Sequence, residues 1–224
     1  MHFSIPFSLS DIEAAMPYLL AGLRLTVEIT IVGLILGFFL GLLTGLATLS
    51  PTRWLRWPGI AYLEFFRGTP ILVQALFIFY GLPDLLDHPV PAFGAAVAAI
   101  ALNSGAYICE IVRGGVKSIE KGQREAGLSI GMSGFQTFLY VVWPQALRRI
   151  VPPLGNQGII SLKDTSVFSV IGVGELVRQG QVYIAVTFNA FEIYFVIAMM
   201  YLAITLTFSF FLRKLEKRQS RGYS

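Results

Sequence analysis

At 224 residues, with 55% hydrophobic and only 13% charged side chains and a mean hydropathy of +0.68, the chain is too apolar for an ordinary water-soluble domain. Its net charge of +4 comes from 17 Lys and Arg against 13 Asp and Glu; the excess gathers at the ends of apolar runs, which excludes a nucleic-acid surface. A single cysteine, Cys109, excludes an internal disulfide framework and a metal cluster. What remains is an all-α integral membrane protein of the multi-pass kind.

The opening residues, MHFSIPFSLSDIEAAMPY, have no basic n-region and no early small-residue cleavage site, so the first apolar run is expected to be retained as an anchor. A spanning helix needs about 20 apolar residues. Ile29–Thr52 carries no charge, and the first span begins near Tyr18 if Arg24 and Glu28 lie near an interface. It holds Gly33, Gly37, Gly41 and Gly45 on one helix face. Such a stripe lets another backbone approach closely, whether one of the chain's own helices or a moving or partner element. The second span covers residues 58–83, with Glu64 and Arg67 spaced as a helix-surface ion pair and Pro70 expected to kink it.

Pro89–Cys109 is the third span. Asn103, Tyr107 and Glu110 share one face of that helix, and Ser104 and Gly105 thin it nearby. Polar groups in lipid turn toward a bundle interior or a watery path, so Asn103 reads equally as an interhelical hydrogen bond or a ligand contact. The fourth span joins two apolar runs, Ile150–Leu162 and Thr165–Gly174, with Lys163 and Asp164 between them. Read as one helix, it puts a charged pair near its middle, where an ionised side chain costs roughly 2.5–3.5 kcal/mol. Sequence neighbours point about 100° apart on a helix, so Lys163 and Asp164 do not simply cancel. Gln157, Ser161 and Asp164 share a face, and Lys163, Thr165 and Ser166 add donors at that depth. Either charge alone is open to pairing with other helices; the cluster together reads as a polar pathway suited to a zwitterion. Ile193–Leu212 is the fifth span.

Lys and Arg are absent from residues 1–17 and from the loop 84–91. Arg53 and Arg56 follow the first span; Arg113, Lys117, Lys121, Arg124, Arg148 and Arg149 follow the third; Arg213, Lys214, Lys217, Arg218 and Arg221 close the chain. Only Arg178 stands between the fourth and fifth spans. The positive-inside rule then puts the N-terminus outside and the C-terminus in the cytoplasm. Residues 1–17 become an extracytoplasmic segment, 18–212 a transmembrane domain with a long cytoplasmic loop at 113–149, and 213–224 a cytoplasmic basic tail.

No phosphate loop, H-E-x-x-H or G-x-S-x-G pattern occurs, and the two histidines, His2 and His88, lie outside the spans. With no nucleophile–base pair and no metal site the chain reads as a transport subunit, and its energy must come from another chain or an ion gradient.

Within the cytoplasmic loop, residues 117–134 read KSIEKGQREAGLSIGMSG, too polar to span and too patterned for a plain solvated loop. Extended to residues 125–144, EAGLSIGMSGFQTFLYVVWP, it resembles the E-A-A-x3-G-x9-I-x-L-P loop of ABC-importer permeases. Glu125, Ala126 and Gly131 match; Gly127 replaces the second alanine, Val141 the isoleucine and Trp143 the leucine. The glutamate–alanine patch reads as a short helix ended near Gly131 or Gly134. Four further blocks, FRGTPILVQALFIFYGLP (66–83), NSGAYICEIVRGGVKSI (103–119), LRRIVPPLGNQGIISLKDTSVFSVIGVGEL (147–176) and RQGQ (178–181), resemble the polar amino-acid branch and look most like its glutamine permeases.

The resemblance implies a five-span permease subunit of a bacterial inner (cytoplasmic) membrane importer. Its coupling helix, through Glu125, Ala126, Gly127 and Gly131, would dock on a cytoplasmic ATPase dimer. A second permease subunit, itself or a homologue, and an extracytoplasmic amino-acid-binding protein would complete the assembly. It implies no cofactor on this chain, ATP and Mg being bound by the partner ATPase, and makes the KDTS block a candidate contact for the amino acid in transit. The rival reading is an ion-driven carrier or channel, which explains Lys163 and Asp164 but not the coupling loop. A scaffold or enzyme subunit explains neither polar face.

Overall fold

The structure, a computed structural model, describes residues 9–220, with side chains as far as residue 214. Residues 1–8 of the expected extracytoplasmic segment, and the basic side chains beyond Lys214, lie outside the described residues. Among the described residues the fold is entirely helical.

Helix α1 (Leu9–Thr48) runs unbroken for 40 residues, about 60 Å at 1.5 Å per residue. It therefore starts ahead of Tyr18 and overshoots a hydrocarbon core of about 30 Å. Its glycine stripe faces α5 (Ala92–Lys117). A Cβ at Gly33 would lie 2.5 Å from Ile100 Cγ2, one at Gly41 2.5 Å from the Gly105 carbonyl oxygen, and one at Gly45 2.9 Å from Val112 Cβ. The stripe thus seats one of the chain's own helices, and any larger residue there pushes two backbones apart.

The second expected span is broken more sharply than a proline kink. α2 (Arg53–Gly68) and the arm formed by α3 (Ile71–Leu76), a π turn (Phe77–Gly81) and α4 (Leu82–Leu86) meet at 103°. Thr69 and Pro70 at the joint are extended. Proline there removes an amide hydrogen and disfavours helical geometry at the residue before it.

The polar loop follows α5 as α6 (Lys121–Ser129) and α7 (Gly134–Thr137), then a π turn (Phe138–Val142) leads into α8 (Trp143–Asp164). The fourth expected span is not one α-helix. α8 ends at Asp164 and the chain tightens into a 3₁₀ segment, Thr165–Ile171. Lys163–Ser166 accordingly sits at a change of helix type instead of in mid-helix. α9 (Leu176–Thr187) and α10 (Ala190–Ser220) complete the chain.

Among the described residues three helices, α1, α5 and α10, are long and apolar enough to cross a membrane, and the bent α2–α4 pair makes a fourth if counted as one span. α5 is the hub, buried along most of its apolar face; α10 is largely exposed. One apolar cluster joins Ile29, Ala75, Ile78, Ile100 and Phe168, holding the outer arm of the broken helix and the 3₁₀ segment against α5. A second, with Val112, Ile119, Val142, Ala146 and Ile150, lies beneath the α6–α7 loop. Where α9 begins, the buried Glu175 carboxylate caps it, accepting from the backbone N–H of Val177 (2.9 Å) and Arg178 (2.7 Å).

Candidate functional site

A cavity of about 520 Å³ opens at the break between α2 and α3. Its walls carry Arg67, Thr69, Asn103, Tyr107, Gln157 and Asp164, drawn from the broken helix, α5 and α8. A larger hollow of about 640 Å³ lies beside Trp54 and Trp57 at the start of α2, with a largely apolar wall and no convergent set of polar groups. Of these two, the cavity at the break has the chemistry of a polar-solute site.

The structure sorts the eight intramembrane candidates named above. Asn103, Tyr107, Gln157 and Asp164 reach one cavity, although two of these lie on α5 and two on α8. Ser161 is buried behind Gln157, whose Nε2 donates to its Oγ at 3.3 Å. Lys163 points to the outer surface of the chain. Thr165 Oγ1 donates to the Leu162 carbonyl at 2.6 Å and Ser166 Oγ to that of Lys163 at 2.8 Å. Both hydroxyls complete the α-to-3₁₀ transition by binding carbonyls three residues back.

Arg67 does not pair with Glu64 as its spacing suggests. Its Nη1 lies 3.3 Å from Glu110 Oε2, and its guanidinium stands 5.8 Å from the Tyr107 ring centroid. Glu110 also accepts from Arg113 Nη2 at 2.9 and 2.7 Å. The face of α5 through Asn103, Tyr107 and Glu110 therefore receives an arginine from α2, a partner that lies far away in sequence. Arg67 lines the cavity beside the aromatic ring, a cation facing a space that also holds the Asp164 carboxylate.

Gln74, which the sequence does not single out, joins the broken helix to α5 behind the cavity wall. It is buried on α3, and its Nε2 donates to the carbonyls of Phe66 (2.9 Å) and Thr69 (3.0 Å) and to Thr69 Oγ1 (2.9 Å). The signal was available: a helical Phe66 carbonyl bonds the amide of residue 70, and Pro70 has no hydrogen to give.

The loop between α5 and α8 is built as a rigid unit. α6 ends in a Schellman turn: Gly131 N–H donates to the Leu128 carbonyl at 3.0 Å and Met132 N–H to that of Gly127 at 3.2 Å, with Gly131 at φ +86°. Ser133 then caps α7 through a reciprocal box with Gln136, at 3.2 and 2.9 Å. Gln145 donates to Gln123 at 3.1 Å and Arg149 to the Ser118 carbonyl, tying the loop to α8. Glu125 and Ala126 are exposed, and so are Leu128, Ile130 and Phe135, the last two at 79% and 73%. Exposed apolar side chains held on a rigid frame are the makings of a docking surface.

The departure from the alanine pattern at Gly127 has a local reason. Gly127 is the buried residue of α6 and packs on Thr137, whose Oγ1 is buried without a hydrogen-bond partner. A Cβ at position 127 would lie 2.7 Å from Thr137 Cγ2. Gly127→Ala is expected to destabilise the purified protein by about 1–3 kcal/mol, as overpacking does. That is a fall in unfolding midpoint of about 2–4 °C per kcal/mol, recovered when Thr137→Ser removes the methyl; equal midpoints for Gly127→Ala and wild type would show the packing to be slack.

With this geometry in view, comparison with known proteins is informative. Residues 33–221 match the family described as binding-protein-dependent transport system inner membrane component. The chain belongs to this family. It is 51% identical over 213 residues to the glutamine transport system permease protein GlnP of Escherichia coli K12, covering 95% of this chain and 97% of that one. It is 34% identical over 203 residues to the arginine transport system permease protein ArtQ of Bacillus subtilis, covering 91% and 93%. Among solved structures, an amino acid ABC transporter crystallised with histidines superposes at a TM-score of 0.90 with 39% identity, covering 96% of this chain and 99% of that one. The MetNI methionine transporter shares the fold at a TM-score of 0.79 and 20% identity, over 92% and 98%.

The chain is thus an inner-membrane permease subunit of an ABC amino-acid importer. Membership in a binding-protein-dependent family displaces the ion-driven carrier that the intramembrane charges alone allowed.

Proposed function

We propose that this permease passes glutamine through the cavity at the broken helix and is driven by a separate ATPase seated on the α6–α7 loop. One observation carries the reading: a polar cavity with a cation, a carboxylate and an amide lies at one end of α8, and the exposed loop is tied to the other end. Arg67 suits the carboxylate of an amino acid and Asp164 its ammonium. α8 spans 22 residues, about 33 Å, so a push on the loop reaches Asp164 through one helix.

In this reading the N-terminus is extracytoplasmic and the C-terminus cytoplasmic. α8 with its 3₁₀ extension is the fourth of five crossings, its charged residues shielded by neighbouring helices and by a second permease subunit against which Lys163 would lie. ATP and Mg are bound by the ATPase dimer, and an extracytoplasmic binding protein delivers the amino acid. The identity to the glutamine permease supports glutamine as cargo.

The test is ATP hydrolysis in proteoliposomes containing the permease and its ATPase, with the binding protein carrying one amino acid at a time. Stimulation by the glutamine-loaded protein, accompanied by uptake, is the expected result. Stimulation by another amino acid alone would reassign the cargo, and failure to form any complex with an ATPase would remove the coupling role of the loop.

A further inference from the structure

We infer that Gln74 sets the specificity of the cavity by fixing which atom of Asn103 faces the substrate. The inference rests on the reading of that cavity as the amino-acid pathway and adds a chain of orientation that begins at Pro70.

Amide nitrogen and oxygen are told apart by their hydrogen-bond partners, and here the partners leave one solution. Pro70 cannot donate to the Phe66 carbonyl, so that oxygen needs another donor, and Gln74 Nε2 supplies it at 2.9 Å. The other two neighbours of Gln74 Nε2 are also acceptors. One is the Thr69 carbonyl; the other is Thr69 Oγ1, whose own hydrogen is committed to the Phe65 carbonyl at 2.9 Å. Three acceptors around one end require that end to be the NH₂ group.

Gln74 Oε1 is then the atom that meets Asn103, and it only accepts. Asn103 Nδ2 donates to it at 3.2 Å and approaches the Phe66 carbonyl at 3.4 Å. Both amide hydrogens of Asn103 are directed at the broken helix. The polar atom that Asn103 has left to offer the cavity it lines is its carbonyl oxygen. With the Asp164 carboxylate on the same wall, the cavity offers two acceptors, which suits a primary ammonium, and Arg67 offers the donor for a carboxylate.

Gln74 is therefore a positioning residue. It does not line the cavity, and it acts by holding Asn103 in one of two amide orientations. Without it, the Asn103 NH₂ keeps only its long 3.4 Å approach to the Phe66 carbonyl, so it can turn toward the cavity and meet an ammonium with hydrogens instead of a lone pair.

The experiment is equilibrium binding of radiolabelled glutamine, and of its deamino analogue glutaramic acid, to the purified permease–ATPase complex without binding protein. Wild type is expected to favour glutamine. Gln74→Met, close in volume but without hydrogen-bonding hydrogens, is expected to lose about tenfold of that preference, one oriented hydrogen bond's worth, with glutaramate binding little changed. Adding Asn103→Asp to Gln74→Met is expected to restore the preference, because a carboxylate presents oxygen in either orientation. A purely structural role for Gln74 gives no such rescue.

Undiminished glutamine preference in Gln74→Met overturns the inference while leaving the cavity reading in place. Absence of glutamine binding by wild type removes that reading and the inference together. Should Gln74→Met not assemble, single variants at Asn103 decide: Asn103→Asp is expected to keep the preference and Asn103→Leu to lose it. Equal loss in both overturns the role of the carbonyl oxygen.

Discussion

Gly131→Val is expected to leave the permease inserted and its ATPase partner active while amino-acid uptake falls by at least about tenfold. Gly131 sits at φ +86° in the turn that ends α6. A left-handed backbone costs an ordinary L-residue roughly 1–2 kcal/mol, and a β-branched side chain more. Valine relieves that strain by leaving the left-handed region. The turn then loses the bonds from Gly131 N–H to Leu128 and from Met132 N–H to Gly127. Those bonds aim α7 and the exposed Phe135 relative to Glu125 and Ala126.

The bilayer-embedded helices do not depend on this turn, so insertion survives and coupling does not. Gly131→Asn, which tolerates the left-handed conformation, is expected to keep uptake within about threefold of wild type. Uptake per ATP hydrolysed in proteoliposomes measures both variants. Full coupling in the valine variant would mean that this turn does not transmit the ATPase stroke.

Asp164→Ala is expected to lower uptake by about tenfold to a hundredfold while the permease still co-purifies with its ATPase. The carboxylate ends α8 and lines the cavity, in the same wall as Gln157. A hydrogen bond to a charged group is worth roughly 1.5–3 kcal/mol, which spans that range. Docking is spared because Asp164 lies at the opposite end of α8 from the loop, about 33 Å away along the helix. Asp164→Asn keeps an acceptor without the charge and is expected to fall between the two. Unchanged uptake in Asp164→Ala, measured with the binding protein present, would place the pathway elsewhere.

These two variants also mark what was legible in advance. A helix end near Gly131 or Gly134 was readable from a polar helical stretch followed by glycines, and the Schellman turn with its left-handed Gly131 selects the first of them. Everything that decides its geometry lies within a dozen residues. Asp164 was readable as costly in a membrane, but its companions were not. Lys163, Thr165 and Ser166 adjoin it in sequence but do not line the cavity: Lys163 points about 100° away from Asp164 on α8, and Thr165 and Ser166 belong to the 3₁₀ segment that follows. Asn103 and Tyr107 join it from α5, and Arg67 from α2.

Arg67 shows the limit of local spacing. Glu64 is one turn away on the same helix, but the arginine crosses to Glu110 and Tyr107 on α5. An i, i+3 pair on a helix surface stabilises by only a few tenths of a kcal/mol, so a tertiary partner readily outcompetes it. The glycine stripe of α1 was open between two uses, and close contact with Ile100, Gly105 and Val112 selects one of them.

By itself the sequence determined the helical membrane class, the glycine face of α1, a departure from straight helix at Pro70 and a glycine-ended helix in the loop after the third span. Each follows from composition, from periodicity or from the stereochemistry of one residue and its near neighbours. The tertiary structure alone decided which polar groups share a cavity and which way the Gln74 and Asn103 amides point. The reason is physical: hydrogen bonds and ion pairs reach about 3 Å, and what lies within 3 Å of a buried side chain depends on how separate helices pack. Packing of this kind depends on close contact over whole helix faces, and no window along the chain contains it.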